Sequence, residues 1–186
     1  MTDRPRVLAL SGSLRADSSN LTVLRAFGRW SAETLDFALG SGVGALPHFN
    51  PDLDTDAPPS EVLAFRATIA RADAVLIACP EYAHGVPGSF KNALDWLVSE
   101  PGFVGTPVAL INASAESTHA DRQLREILAT MNACLLVDAS FSLPLGVRRL
   151  GETALLADDR VTALFARALP PLFAAAKSRR AERALA

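Results

Sequence analysis

At 186 residues the chain fits one domain and hardly two. Its composition, 49% hydrophobic and 20% charged, excludes disorder over most of its length. A net charge of -2 excludes a global basic field for nucleic acid or an anionic membrane.

The first apolar run, Val7–Leu10, suits a strand buried on both faces. It ends in the turn signal Ser11-Gly12-Ser13. Leu21, Leu24, Phe27 and Trp30 then mark one face of a helix. Thr34–Leu39 reads as a second strand. Gly40–Pro59, rich in Gly, Pro and Asp, reads as loop. Glu61–Arg71 is a helix and Ala74–Ala78 the clearest central strand. Pro87 fits a first helical turn ahead of Phe90, Ala93, Leu94 and Leu97. Val108–Ile111 is the next strand. Ser117 or Thr118 can cap a helix carrying Leu124, Ile127, Leu128 and Met131. Leu135–Val137 is a short fifth strand, followed by a loop through Pro144 and Gly146. Asp158 or Asp159 caps a last helix, which Pro170-Pro171 should end or kink; a kink is favoured because the apolar stripe resumes at Leu172 and Phe173.

Strict alternation of short apolar strands and helices implies an α/β domain whose parallel sheet is covered on both faces. Five strands favour the flavodoxin-like order 2-1-3-4-5, a three-layer doubly wound fold over residues 1–186. In that order a ligand sits where the winding reverses, beyond strands 1 and 3. The segments to watch are therefore Ser11–Asn20 and Pro80–Gly85.

Ser11–Asn20 joins a buried strand to a helix N-terminus, where unpaired N–H groups and the positive dipole end favour an anion. Ser11, Ser13, Ser18, Ser19, Asn20 and the bidentate guanidinium of Arg15 add donors. The loop lacks both the Gly-Lys-Ser/Thr ending of a Walker loop and the G-x-G-x-x-G pattern, so a single phosphate monoester fits best. In Pro80–Gly85, Tyr82 can stack on a flat ring and glycine allows close backbone approach. Glu81 either orients this loop, reaches a partner subunit or is a surface carboxylate. His48, His84 and His119 are far apart in sequence and show no metal-ligand spacing, so no metal site is expected. No Ser-His-Asp arrangement or G-x-S-x-G elbow is present. Cys79 and Cys134 form no disulfide framework and read as small core residues. Lys177, Arg179, Arg180 and Arg183 read as a solvated basic end. No run reaches the ~18 apolar residues of a membrane span, and Met1–Pro5 does not open a secretory signal. A cytoplasmic protein without nucleic-acid or membrane partners is expected.

Gly12-Ser-Leu-Arg15, with Ser18 and Asn20, resembles the phosphate loop of NAD(P)H-dependent FMN reductases, a group that includes quinone, chromate and azo-dye reductases. Pro80-Glu-Tyr82, Pro87-Gly88 and Lys91-Asn-Ala-Leu-Asp-Trp96 resemble that family's flavin-ring loop and the helix after it. Leu46-Pro-His-Phe-Asn50 with Asp52 resembles the segment after its second strand. The resemblance covers about residues 5–135. It implies FMN as cofactor and NAD(P)H as co-substrate, with a small-molecule electron acceptor such as a quinone or free flavin. Ser11, Ser13, Arg15, Ser18 and Asn20, with at least the backbone of Ser19, would hold the phosphate. Pro80, Glu81, Tyr82, Ala83, His84 and Gly85 would contact the isoalloxazine ring, and Ser114 would approach it from the loop after the fourth strand. Asn92, Asp95 and Trp96 resemble a dimer-contact element, and a homodimer or homotetramer is implied. No side chain is named as catalytic, because the cofactor carries the chemistry. A flavodoxin-like electron carrier without nicotinamide turnover is the alternative. Two positions depart from the family. Ala83 stands where many members have Asn, removing a side-chain hydrogen bond to the flavin rim. Glu116, in Ser114–His119, adds negative charge where a nicotinamide nucleotide enters and disfavours a phosphorylated one.

Overall fold

Side chains alternate along each central strand, so each strand feeds two cores. The computed structural model describes residues 4–114, 117–144, 147 and 149–185. The strands are β1 (Arg6–Ser11), β2 (Asp36–Leu39), β3 (Ala74–Ala78) and β4 (Pro107–Asn112), with β5 (Cys134–Leu135) and β6 (Phe141–Ser142). The helices are α1 (Ser19–Trp30), α2 (Ser60–Ala70), α3 (Gly88–Asp95), α4 (Thr118–Thr130), α5 (Glu152–Leu156) and α6 (Asp159–Leu185). Every strand pairing in the sheet is parallel, in the order β2-β1-β3-β4-β5, with β6 beside β4. This is the flavodoxin-like arrangement, with its reversal between β1 and β3.

On one face Val7, Ala9, Leu76 and Ile111 pack against Leu24 and Phe27 of α1 and Val161 and Phe165 of α6. Phe27 and Phe165 meet edge to face at 5.2 Å, a favourable ring geometry. On the other face Leu8, Leu10, Val75, Ile77 and Leu110 pack against Val62 and Phe65 of α2, Phe90 and Leu94 of α3 and Leu124 of α4.

The fifth position of the sheet differs from the expected strand over Leu135–Val137. It is divided between β5, which pairs with Pro107 and Val108, and β6, which pairs with Ile111 and Asn112. In the gap, the Ser140 hydroxyl accepts from Leu110 N–H at 3.0 Å and donates to Leu136 C=O at 2.7 Å. One buried side chain thus replaces the missing strand carbonyl and spares a core amide the cost of going unpaired.

Three other expectations change. Helix α5 was not legible as an element, whereas α6 runs on past Pro170 and Pro171, as the resumed apolar stripe implies. Cys134 is exposed on the edge strand rather than in the core. The basic end is not simply solvated. Arg179 donates to the carbonyls of Gly102 and Val104, Arg180 to Arg4, and Arg183 to Ala72 and Asp73. These bonds dock the end of α6 against the edge of the sheet opposite its carboxyl ends. Finally, no helix among the described residues is long and apolar enough to cross a membrane.

Candidate functional site

The loops after β1, β3 and β4 surround a cleft of about 600 Å³ at the carboxyl ends of the strands. The two central loops meet closely. Gly12 N–H donates to Ala78 C=O at 2.8 Å. A Cβ on Gly12 would lie 2.8 Å from Cys79 Sγ, so only glycine fits that approach.

Within Ser11–Asn20 most hydroxyls build the loop itself. Ser11 Oγ accepts from Ser13 N–H and donates to Ser13 C=O, and Ser13 Oγ accepts from Arg15 N–H. Ser18 is the N-cap of α1, its hydroxyl accepting from Asn20 N–H. Arg15, Ser19 and Asn20 line the cleft, whereas Ser11, Ser13 and Ser18 are not part of its lining. Asn20 is 7% exposed, and its side-chain oxygen is buried without a hydrogen-bond partner.

The second loop is held differently. Tyr82 and Gly85 exchange backbone hydrogen bonds of 3.0 Å, closing a tight turn over Ala83 (φ 48°) and His84 (φ 59°). Both central residues are left-handed, a conformation that favours Gly or Asn. Glu81 Oε2 accepts from the N–H groups of His119 (2.8 Å) and Ala120 (3.0 Å), capping α4 from outside that helix. These amides, Ala120 first, hold the Glu81 carboxyl below the usual carboxylate range. Gln123 Oε1 accepts from Val86 N–H at 2.7 Å. Pro80 and Glu81 line the cleft, whereas Tyr82, Ala83, His84 and Gly85 are not part of its lining. Tyr82 is 50% exposed.

The cleft is completed by the loop after β4. Asn112 donates to Ser117 C=O and accepts from Ser114 N–H, turning Ser114 into the lining. Glu116 lies outside the described residues. Sequence reasoning missed Thr22, Arg25, Asn112 and Arg149, all of which line the cleft. Thr22 and Arg25 follow Ser19 at three-residue steps on the polar side of α1, a signal the helical period carries. Arg149 had no local signal, because only the chain's path brings it near. Cys79 also lines the cleft, and burial pushes its thiol up to about 12, which makes it a poor nucleophile.

Two further groupings are made by the fold. Asn92 and Trp96 are engaged within the chain. Asn92 accepts from Phe49 N–H (2.7 Å) and donates to Pro47 C=O (2.9 Å), and the buried Trp96 indole donates to the same carbonyl (2.8 Å). They clamp the Leu46–Asn50 segment, and Asp95 pairs with Lys91. Two of the histidines, distant in sequence, also meet in space. His84 and His119 stack at 4.4 Å with planes 4° apart, and with Glu81 they place three potential ligand atoms within 4.8 Å of one another.

Comparison with known proteins fits this geometry. The chain is 38% identical over 112 residues to a quinone reductase of Pseudomonas putida, covering 58% of this chain and 59% of that protein. It thus spans about three-fifths of that relative's length. It is 34% identical over 137 residues to an NAD(P)H-dependent FMN reductase of Pseudomonas aeruginosa, covering 71% of this chain and 74% of that one. Among solved structures, the flavoenzyme NAD(P)H:(acceptor) oxidoreductase FerB of Paracoccus denitrificans superposes with a TM-score of 0.68 at 27% identity, covering 88% of this chain and 97% of that one. Residues 5–147 match the NADPH-dependent FMN reductase family, and the chain belongs to it.

Proposed function

We propose that this protein is an FMN-dependent oxidoreductase that uses NAD(P)H to reduce a flavin, a quinone or a similar small acceptor. The observation that carries this reading is the convergence of Arg15, Ser19 and Asn20 on one cleft at the N-terminus of α1. That donor set suits a phosphate monoester. Arg15 supplies charge, Ser19 a hydroxyl, Asn20 its amide, and the first turn of α1 its N–H groups. Ser11, Ser13 and Ser18 keep the loop in shape. Arg25 and Arg149 add positive charge around the cleft.

The residues fit FMN. Its phosphate would rest in the Ser11–Asn20 loop, and its ring would lie against Pro80–Gly85 and Ser114. When bound, FMN supplies the two-electron chemistry that connects a nicotinamide to the acceptor. The protein's own residues bind, orient and shield. Glu81 and Gln123 hold the ring loop against α4. Half-buried Cys79 is kept as a neutral thiol in the cleft lining.

The exposed Leu14 (59%) and Tyr82 (50%), on the two central loops, support a homodimer or homotetramer that covers them. Two free thiols suit a reducing, cytoplasmic setting.

The test is oxidation of NADH or NADPH by the purified protein with FMN and a benzoquinone. Turnover that requires FMN and the quinone supports the reading. A protein that binds FMN but oxidises neither nucleotide is an electron carrier, and one that binds no FMN overturns the site itself.

A further inference from the structure

We propose that Glu81, His84 and His119 form a divalent transition-metal site on the rim of the cleft, for an ion of the zinc, nickel or copper(II) type. Two imidazoles and one carboxylate suit such ions, and three protein ligands leave a position for water. The inference is independent of the flavin.

The arrangement goes beyond a chance meeting of surface side chains. His119 lies in the first turn of α4, and Glu81 binds the backbone N–H of His119 and of the next residue. Only Oε2 is used in those bonds, which leaves Oε1 for a ligand. His84 sits in the turn closed by Tyr82 and Gly85, and Gln123 of α4 holds that turn through Val86 N–H. All three ligand-bearing backbones are therefore tied to one another.

His84 is also a non-glycine residue at φ 59°. That conformation is costly for a residue with a side chain and persists where the surroundings enforce it, often at functional positions. Here its result is a ring placed parallel to His119, 4.4 Å away.

The two rings stack face to face. Their nitrogens and the Glu81 carboxylate oxygen lie within 4.8 Å of one another. Zinc–nitrogen bonds of roughly 2.1 Å at tetrahedral angles place two ligating nitrogens about 3.4 Å apart. The site must therefore contract by about 1.4 Å at most, with one ring turned so that both lone pairs converge. Both imidazoles are exposed, so rotation about their side-chain bonds meets little resistance. Glu81 lines the cleft, so a bound ion would fasten the loop after β3 to α4 at the mouth of the site.

The experiment is calorimetric titration of the tag-free full chain with zinc chloride, in a buffer without chelating components. One ion per chain is expected. His84→Ala and His119→Ala should each weaken binding by about tenfold or more, while His48→Ala should leave it unchanged. His84→Gln and His119→Gln, which keep the side-chain bulk, should lose zinc in the same way, and circular dichroism checks that each variant is folded. Zinc should also raise the melting temperature of the wild type but not of the His84→Ala/His119→Ala double variant. Wild-type affinity no greater than that of the double variant overturns the proposal. So does a loss in His48→Ala equal to that in His84→Ala or His119→Ala.

Discussion

The loops after β1 and β3 flank the same cleft, yet they are held in shape by different means. Ser11–Asn20 is almost self-sufficient. Its hydroxyls bond to backbone groups two residues away, and Ser18 caps the helix that follows. Pro80–Val86 depends on outside support. Glu81 and Gln123 tie it to α4, and its tip holds two non-glycine residues at positive φ. The first loop is a grip assembled by local chemistry, suited to a phosphate that every ligand of the class shares. The second is a strained arm braced from a neighbouring helix, suited to contacts that vary with acceptor and partner.

The sharpest way to break this comparison is to remove the charge from the first loop. Arg15→Ala should weaken FMN binding by about 10–100-fold, as expected for losing hydrogen bonds to a charged group worth about 1.5–3 kcal/mol. Flavin fluorescence titration reads this directly, and unchanged affinity removes Arg15 from the phosphate site. Ser18→Ala should destabilise the fold by about 1 kcal/mol through loss of the α1 cap. It should also weaken FMN binding, because the first loop and its helix end form one unit; chemical denaturation and the same titration measure both.

On the second loop the effects divide. Glu81→Gln should lower the melting temperature by a few degrees, because a neutral amide caps the α4 terminus less well than a carboxylate. FMN affinity should fall less than in Arg15→Ala, and a reversal of that order contradicts the division of roles between the loops. Ala83→Asn should raise stability by roughly 0.5–1 kcal/mol, since Asn tolerates the left-handed conformation at φ 48° better than Ala. Denaturant titration measures that gain.

The smallest effect is a difference in labelling. Burial raises the Cys79 thiol to about 12, so its thiolate fraction stays low at pH 8 and grows only as the pH nears that value. Iodoacetamide at pH 8 should therefore modify the exposed Cys134 and leave Cys79 largely untouched. Peptide mass spectrometry distinguishes the two.

Much of this site is legible in the sequence because its residues are adjacent in the chain. Gly12, Ser13, Arg15, Ser18 and Asn20 occupy one loop between a strand and a helix, and turn chemistry and helix capping act over a few residues. The central strands are equally readable. Ala74–Ala78 is wholly buried, and an unbroken apolar run states that directly. The edge of the sheet is not, since β5 and β6 are two residues each and persist through pairing with β4 and the Ser140 hydroxyl. Such short strands leave no period to detect.

The sequence alone therefore settled the order of the central elements and the sheet topology, because burial patterning and capping are local. The tertiary structure decided what Glu81, Asn92, Trp96 and the basic end of α6 do, since each finds its partners in other elements. It also brought His84 over His119 and placed Arg25 and Arg149 in the same cleft. The distance between such residues follows from how helices pack on a twisted sheet, and nothing in the intervening chain encodes it as a pattern.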